Sequence, residues 1–320
     1  MEKYNYIQIL LHDIILGNRF IKKSLYEFEK LLYLNKDIKF HEQKHVFISG
    51  LPRSGTTAIL NFFYSTNEYL SLTYKKMPFV LTPNISRLLE KKKNIKKTVR
   101  MHQDGILFDL ESPEALDEVF FSTYEDELKN ELINYLSLLF LHSKKKRYLS
   151  KNNMNYNRIN LINEILPNSI FLIPYREPLQ HANSLLSQHL NFSKIQAEND
   201  FVRRYMNYLG HNEFGINHKS WSPPVKFNNF DNINYWLEQW SMFYSKIFNL
   251  YKNKNNCFFI KYESLNEVSS SEKLLSITST TKTPNYNFKT NRKAIDINYD
   301  FKLYDEATDI YNTLNKSFVS

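Results

Sequence analysis

The stretch HVFISGLPRSGTTAILNFF, His45 to Phe63, is a short apolar run, then a tight loop, then a second apolar run at helical spacing. Val46 to Ser49 reads as a buried strand, and Ile59, Leu60, Phe62 and Phe63 read as the inner face of a helix. Between them Gly50 and Gly55 hold the Gly-four-Gly spacing of a phosphate-cradling loop, in which backbone N–H groups and a helix N-terminus converge on an anion. A magnesium-nucleotide triphosphatase needs Lys directly after the second glycine to reach the outer phosphates. Here Thr56 holds that position, and the positive charge lies inside the loop at Arg53. The loop reads as a phosphate cradle without that machinery, or, taken alone, as a plain strand-to-helix turn capped by threonine.

A second stretch decides between these. In YREPLQHANSLL, Arg176 follows the strong strand Ile170 to Pro174, and Pro178 opens a helix directly after it. A residue at that strand end stands at the carboxyl edge of the sheet, where open α/β folds bind ligands. Ser184 comes two helical turns later, so a guanidinium and a hydroxyl are placed to grip one anion. Each has an ordinary alternative: a strand-ending arginine pairing with a carboxylate, or a mid-helix serine.

Together, PRSGTT and the Arg-x7-Ser spacing resemble the P-loop sulfotransferase family, which uses 3′-phosphoadenosine 5′-phosphosulfate (PAPS) as donor. The resemblance covers about Val46 to Leu265. It implies that Arg53, Ser54, Gly55, Thr56 and Thr57 hold the 5′-phosphosulfate end, and that Arg176 and Ser184 hold the 3′-phosphate. Lys151, in LSKNN, is similar to the lysine that the family carries on a neighbouring strand. The resemblance also implies in-line transfer of a sulfuryl group to a hydroxyl or amine, with Arg53 stabilising the leaving phosphate. Arginine can stabilise that oxygen but not protonate it.

The family's proton acceptor is missing from its usual places. Asn153 stands where the cytosolic enzymes have a histidine, and SLTYKKMPF has no acid where the tyrosylprotein type has a glutamate. The stretch MHQDGILFDLESPEA instead offers His102, Asp104, Asp109, Glu111 and Glu114. His102 takes a proton near neutral pH, and Asp104 is placed to orient its ring in an extended chain, so this pair is the expected base. Ser112 and Pro113 read as the N-cap and first-turn proline of a helix running towards Phe121, and Glu114 as a residue set against its dipole. His181, His189, His211 and Glu213 are candidates for lining an acceptor cleft. No His-x3-His or Cys-x2-Cys spacing points to a metal.

Strands alternating with helices predict an α/β fold: a P-loop-type, mainly parallel sheet with helices on both faces and helical insertions. The 320 residues read as a single domain, with N-terminal helices over 1–44, a core over 45–265 and a tail with a helix over 266–320. The one cysteine, Cys257, excludes an intramolecular disulfide and reads as a buried strand residue. The apolar stretch YIQILLHDIILG is broken by His12 and Asp13 and falls short of the ~20 residues that span a bilayer, so no membrane segment and a cytoplasmic location are expected. A net charge of +9 is dispersed among 33 acidic residues. Its densest run, Lys91 to Lys97, lacks an aromatic platform, which argues against nucleic acid as partner and leaves a small-molecule or lipid acceptor. The competing readings are a P-loop kinase or NTPase, and a nucleotide- or nucleic-acid-binding protein without catalysis.

Overall fold

The computed structural model describes residues 5–88, 98–99, 107–289 and 294–317. The Lys91 to Lys97 run, His102 and Asp104 lie outside them. The strands are β1 (Val46–Ile48), β2 (Tyr69–Leu70), β3 (Thr98–Val99), β4 (Leu107–Phe108), β5 (Arg147–Lys151), β6 (Ile170–Tyr175) and β7 (Cys257–Lys261). Five of them form one sheet in the order β2-β5-β1-β6-β7, every pair parallel, while β3 and β4 make a separate antiparallel pair. In the register, Ile48 of β1 lies between Lys151 of β5 and Leu172 of β6.

The helices are α1 (Tyr6–Gly17), α2 (Arg19–Tyr33), α3 (Thr56–Ser65), α4 (Pro83–Leu88), α5 (Glu118–Thr123), α6 (Leu128–Phe140), α7 (Ile159–Ile165), α8 (Pro178–Glu198), α9 (Asp200–Tyr208), α10 (Ile233–Tyr251), α11 (Val268–Thr278) and α12 (Phe301–Ser317). Among the described residues no helix is long and apolar enough to cross a membrane.

Continuous apolar strands bury both faces, and alternate side chains feed two separate cores. Phe47, Tyr148, Phe171 and Ile173 join Leu136 of α6, Ile162 of α7, Leu185 of α8, Trp240 of α10 and Ala307 of α12. Val46, Ile48, Leu149, Leu172 and Ile260 face the other way, onto Ile59 and Phe63 of α3 and Leu274 of α11. The helix-covered parallel α/β sheet expected from the sequence is the one that forms.

One expectation fails in an informative way. Ser112 and Pro113 do not open a helix: Pro113 bridges Thr73, the Glu114 N–H donates to the Leu72 carbonyl at 3.1 Å, and α5 begins only at Glu118. The Ser112 carbonyl, which an N-cap would offer to the first intrahelical bond, accepts instead from Tyr74 N–H at 3.3 Å. The extended piece therefore runs beside the chain leaving β2, and it carries Glu114 to the edge of the sheet.

Candidate active site

The loop leaves β1 at the carboxyl edge, held by Ser49 N–H to the Leu172 carbonyl at 2.9 Å and Asn152 N–H to the Ile48 carbonyl at 3.1 Å. Gly50 passes so close to β6 that a Cβ there would lie 3.0 Å from the Pro174 carbonyl. Arg53 (φ 69°) and Gly55 (φ 99°) are both left-handed. For Arg53 this stores roughly 1–2 kcal/mol of strain, as functional loops often do. No side chain caps α3, whose N-cap is Gly55. The first-turn N–H groups at Thr56 and Thr57 are thus left for an anion. Ser54 faces inward, and both its hydroxyl (2.7 Å) and its N–H (3.3 Å) donate to the Leu51 carbonyl. It fastens the loop and offers nothing outward.

The second motif meets the first. Glu177 caps α8 by accepting from Leu179 and Gln180 N–H at 3.3 and 2.7 Å, which leaves Arg176 at the sheet edge just outside the helix. Two turns in, the Ser184 hydroxyl accepts from Arg53 Nε at 3.3 Å. One turn earlier on the same face, His181 Nε2–H donates to the Pro52 carbonyl at 2.8 Å. Since that carbonyl only accepts, the ring carries its proton on Nε2. Burial pushes the His181 pKa down to about 3, the Pro52 bond works against this, and the charges of Arg176 and Arg53 add to the lowering. This histidine, a candidate for the acceptor cleft on sequence, is a neutral strut between helix and loop.

Tyr262, the residue after β7, completes the arrangement. Its ring lies against Gly55, and the Arg176 guanidinium stands 5.1 Å from the ring centroid. Burial raises the Tyr262 hydroxyl pKa, while Arg176 and Arg53 both pull it back. Two fixed positive charges, a hydroxyl and a helix N-terminus therefore surround one place.

A row of acids flanks the other side. Lys151 ends β5, and its Nζ lies 3.5 Å from Glu114 Oε1, both side chains at most 10% exposed. Glu114 also accepts from the Tyr74 hydroxyl at 2.7 Å and from Ala115 N–H at 2.9 Å. Asp117 is buried and accepts from the hydroxyls of Ser150 and Tyr148; burial first, then the charge of Glu118, raises its pKa to about 6, the Ser150 bond opposing. Glu118 grips Arg158 through two 2.7 Å bonds and accepts from Asn152 at 2.6 Å. Asn153 donates to Glu213 Oε1 at 2.8 Å, and His211 donates to the Ala115 carbonyl at 3.1 Å. His189 lies deeper, its Nδ1 accepting from Gly215 N–H at 3.3 Å, and burial lowers its pKa. Of the four cleft candidates, only His211 and Glu213 reach this edge.

Residues 45–213, more than half the chain, match the model of the Sulfotransferase family. The chain belongs to the sulfotransferase family. Its fold is similar to the crystal structure of sulfotransferase STF1 from Mycobacterium tuberculosis H37Rv, with a TM-score of 0.50 at 12% identity, covering 98% of this chain and 87% of that one. Sulfotransferase STF9 from Mycobacterium avium gives a TM-score of 0.46 at 11% identity, covering 98% and 79%. No curated protein sequence matches.

In this sulfotransferase, the region matched to the family takes in the loop, Lys151, Arg176 and Ser184 and stops at Glu213. Tyr262 lies beyond it. A sequence signal for Tyr262 existed, since FIKYESL ends a strand at the same edge as Arg176. Nothing local signals the pairing of Glu114 with Lys151, because it depends on how two distant segments are laid together. Chemically, two guanidinium groups, a hydroxyl and an uncapped helix N-terminus gathered at one sheet edge suit an anionic ligand.

Proposed function

We propose that this sulfotransferase takes the sulfuryl group from PAPS and passes it, by in-line displacement, to a hydroxyl or amine of a small molecule or lipid. The observation that carries this reading is the 3.3 Å bond between Arg53 Nε and Ser184 Oγ, which joins the two anion-gripping motifs into one site. A triphosphate site would need a lysine where Thr56 stands. The residues present suit the donor: an uncapped helix N-terminus for one phosphate, and a guanidinium with a hydroxyl for the other. When bound, the donor supplies the sulfuryl group and a bisphosphate leaving group.

The chain's own residues do the rest. Gly55, Thr56 and Thr57 present the α3 N-terminus to the 5′ end, with Ser54 holding the loop closed behind them. Arg176 and Ser184 fix the 3′-phosphate. Arg53, charged at every working pH, stabilises the oxygen on which negative charge develops, and Lys151 adds a second cation. The acceptor's proton must pass to a base within hydrogen-bond reach.

Calorimetry with adenosine 3′,5′-bisphosphate tests the donor site. It is expected to bind at least tenfold more tightly than ATP with magnesium, to lose about tenfold or more in Ser184→Ala, and to lose more in Arg176→Ala. Equal or tighter binding of magnesium-ATP would overturn the reading in favour of a kinase or NTPase.

A further inference from the structure

We propose that Glu114 is the catalytic base of this enzyme, and that it is released for that work by handing its partner Lys151 to the donor. The proposal rests on the sulfuryl-transfer reading above.

Position comes first. Lys151 is in register with Ile48, two residues before Gly50 where the loop opens, and the N–H of the next residue, Asn152, donates to the Ile48 carbonyl at 3.1 Å. A carboxylate held 3.5 Å from Lys151 Nζ therefore stands at the sheet edge beside the loop. The same edge carries other described carboxylates, and apart from Glu213, which accepts from Asn153, each has a fixed structural task. Glu118 is locked by Arg158 and Asn152. Asp117 is sealed beneath Ser150 and Tyr148. Glu177 caps α8, and Glu263 accepts from Glu177 N–H at 2.8 Å and from the Tyr311 hydroxyl at 3.2 Å.

Glu114 differs in the kind of partner it has. Its Oε2 accepts from the Tyr74 hydroxyl and its Oε1 from the Ala115 N–H at 2.9 Å, which orient the group, while a second lone pair of Oε1 faces a lysine on a flexible stem beyond ordinary hydrogen-bond length. Negative charge gathering on the leaving phosphate draws Lys151 toward it. That movement removes the cation that suppresses proton uptake by Glu114, so the carboxylate becomes more basic as the site fills. Glu114 Oε1 then takes the acceptor's proton as the acceptor oxygen bonds sulfur. The sulfur–oxygen bond to the 5′-phosphate breaks in the same step, its electron pair remaining on the phosphate oxygen beside Lys151 and Arg53. Proton, bond and charge are each accounted for, and Glu114 later releases the proton to water.

The exchange is testable without knowing the natural acceptor. Calorimetry of adenosine 3′,5′-bisphosphate in buffers of different ionisation enthalpy is expected to show proton uptake on binding at mildly acidic pH, lost in Glu114→Gln, which still binds. Transfer from labelled PAPS to a panel of one phenol, one sugar, one primary alcohol and one amine is expected to fall 10²–10⁴-fold in Glu114→Gln. Tyr74→Phe leaves the carboxylate in place but removes a bond to its charged form, so the acid limb of the pH–rate profile should move to higher pH. Binding without proton uptake, together with Glu114→Gln transfer within tenfold of wild type, overturns the proposal and leaves the donor site standing. Loss of transfer in His102→Asn or Glu213→Gln, with Glu114→Gln active, overturns it in favour of those residues. Failure of the bisphosphate to bind at all overturns both readings.

Discussion

Gly55 has a left-handed φ of 99°, and the Tyr262 ring occupies the space a Cβ would enter. Gly55→Ala therefore meets two penalties, roughly 1–2 kcal/mol for the backbone and a forced shift of the ring. Because the same ring faces Arg176, the damage should spread from one anion site to the other. The expected outcome is a urea midpoint lowered by the equivalent of about 1–3 kcal/mol and bisphosphate affinity reduced at least tenfold. An unchanged midpoint and affinity would show that Tyr262 does not tie the two sites. Arg53, Arg176 and Ser184 were readable because each sits in a short local pattern of glycine, strand end and helix start. Tyr262 was not readable at the candidate site, and Glu114 was one acid among several, since a ring over a glycine and a carboxylate beside a lysine are both contacts between segments far apart in the chain.

The short helix α5 and strand β5 depend on each other through charge. The segment from Glu114 to Glu118 faces the end of β5 residue by residue: Glu114 on Lys151, Asp117 on Ser150, Glu118 on Asn152. Glu118 also holds Arg158 at the start of α7, with side-chain exposures of 9% and 13%. Removing one member of such a pair strands a buried charge, so Glu118→Gln should cost about 3–5 kcal/mol in chemical denaturation. Glu118→Met with Arg158→Met should recover most of that loss, because two apolar side chains leave no charge uncompensated. A double variant as unstable as the single one would mean that Asn152, not Arg158, is the partner that matters. The strands β1 and β6 and the long helices α8 and α10 announced themselves by apolar runs and periodicity, and they set the fold. The two-residue strand β2 is too short to show alternation, and the place of Ser112–Pro113 was decided by a backbone bond to Leu72 that no capping rule contains.

Buried neutral histidines link the whole molecule to pH. His45 accepts the Tyr148 N–H on Nδ1 at 2.9 Å, and burial lowers its pKa from 6.5 to about 4. Burial takes His181 to about 3 and His218 to about 4. Below pH 6.5 the unfolded chain protonates these rings while the folded chain does not, so stability is fully present above 6.5 and falls as the pH drops toward 4. Asp117 works in the opposite sense: its pKa is raised from 3.8 to about 6, so the folded state takes up its proton first and gains stability over that interval. With His12 and His189 lowered by burial as well, the histidines outnumber the raised carboxyls Asp117 and Glu29, and a net charge of +9 that grows on acidification pushes the same way. The urea midpoint should therefore fall steadily from pH 7 to pH 4.5. His181→Gln keeps a donor for the Pro52 carbonyl but removes one titrating ring, so it should flatten the slope by about one proton, close to 1.4 kcal/mol per pH unit. Asp117→Asn removes one opposing group and should steepen it. A slope that neither substitution changes would mean that acid acts on this fold through its surface charge alone.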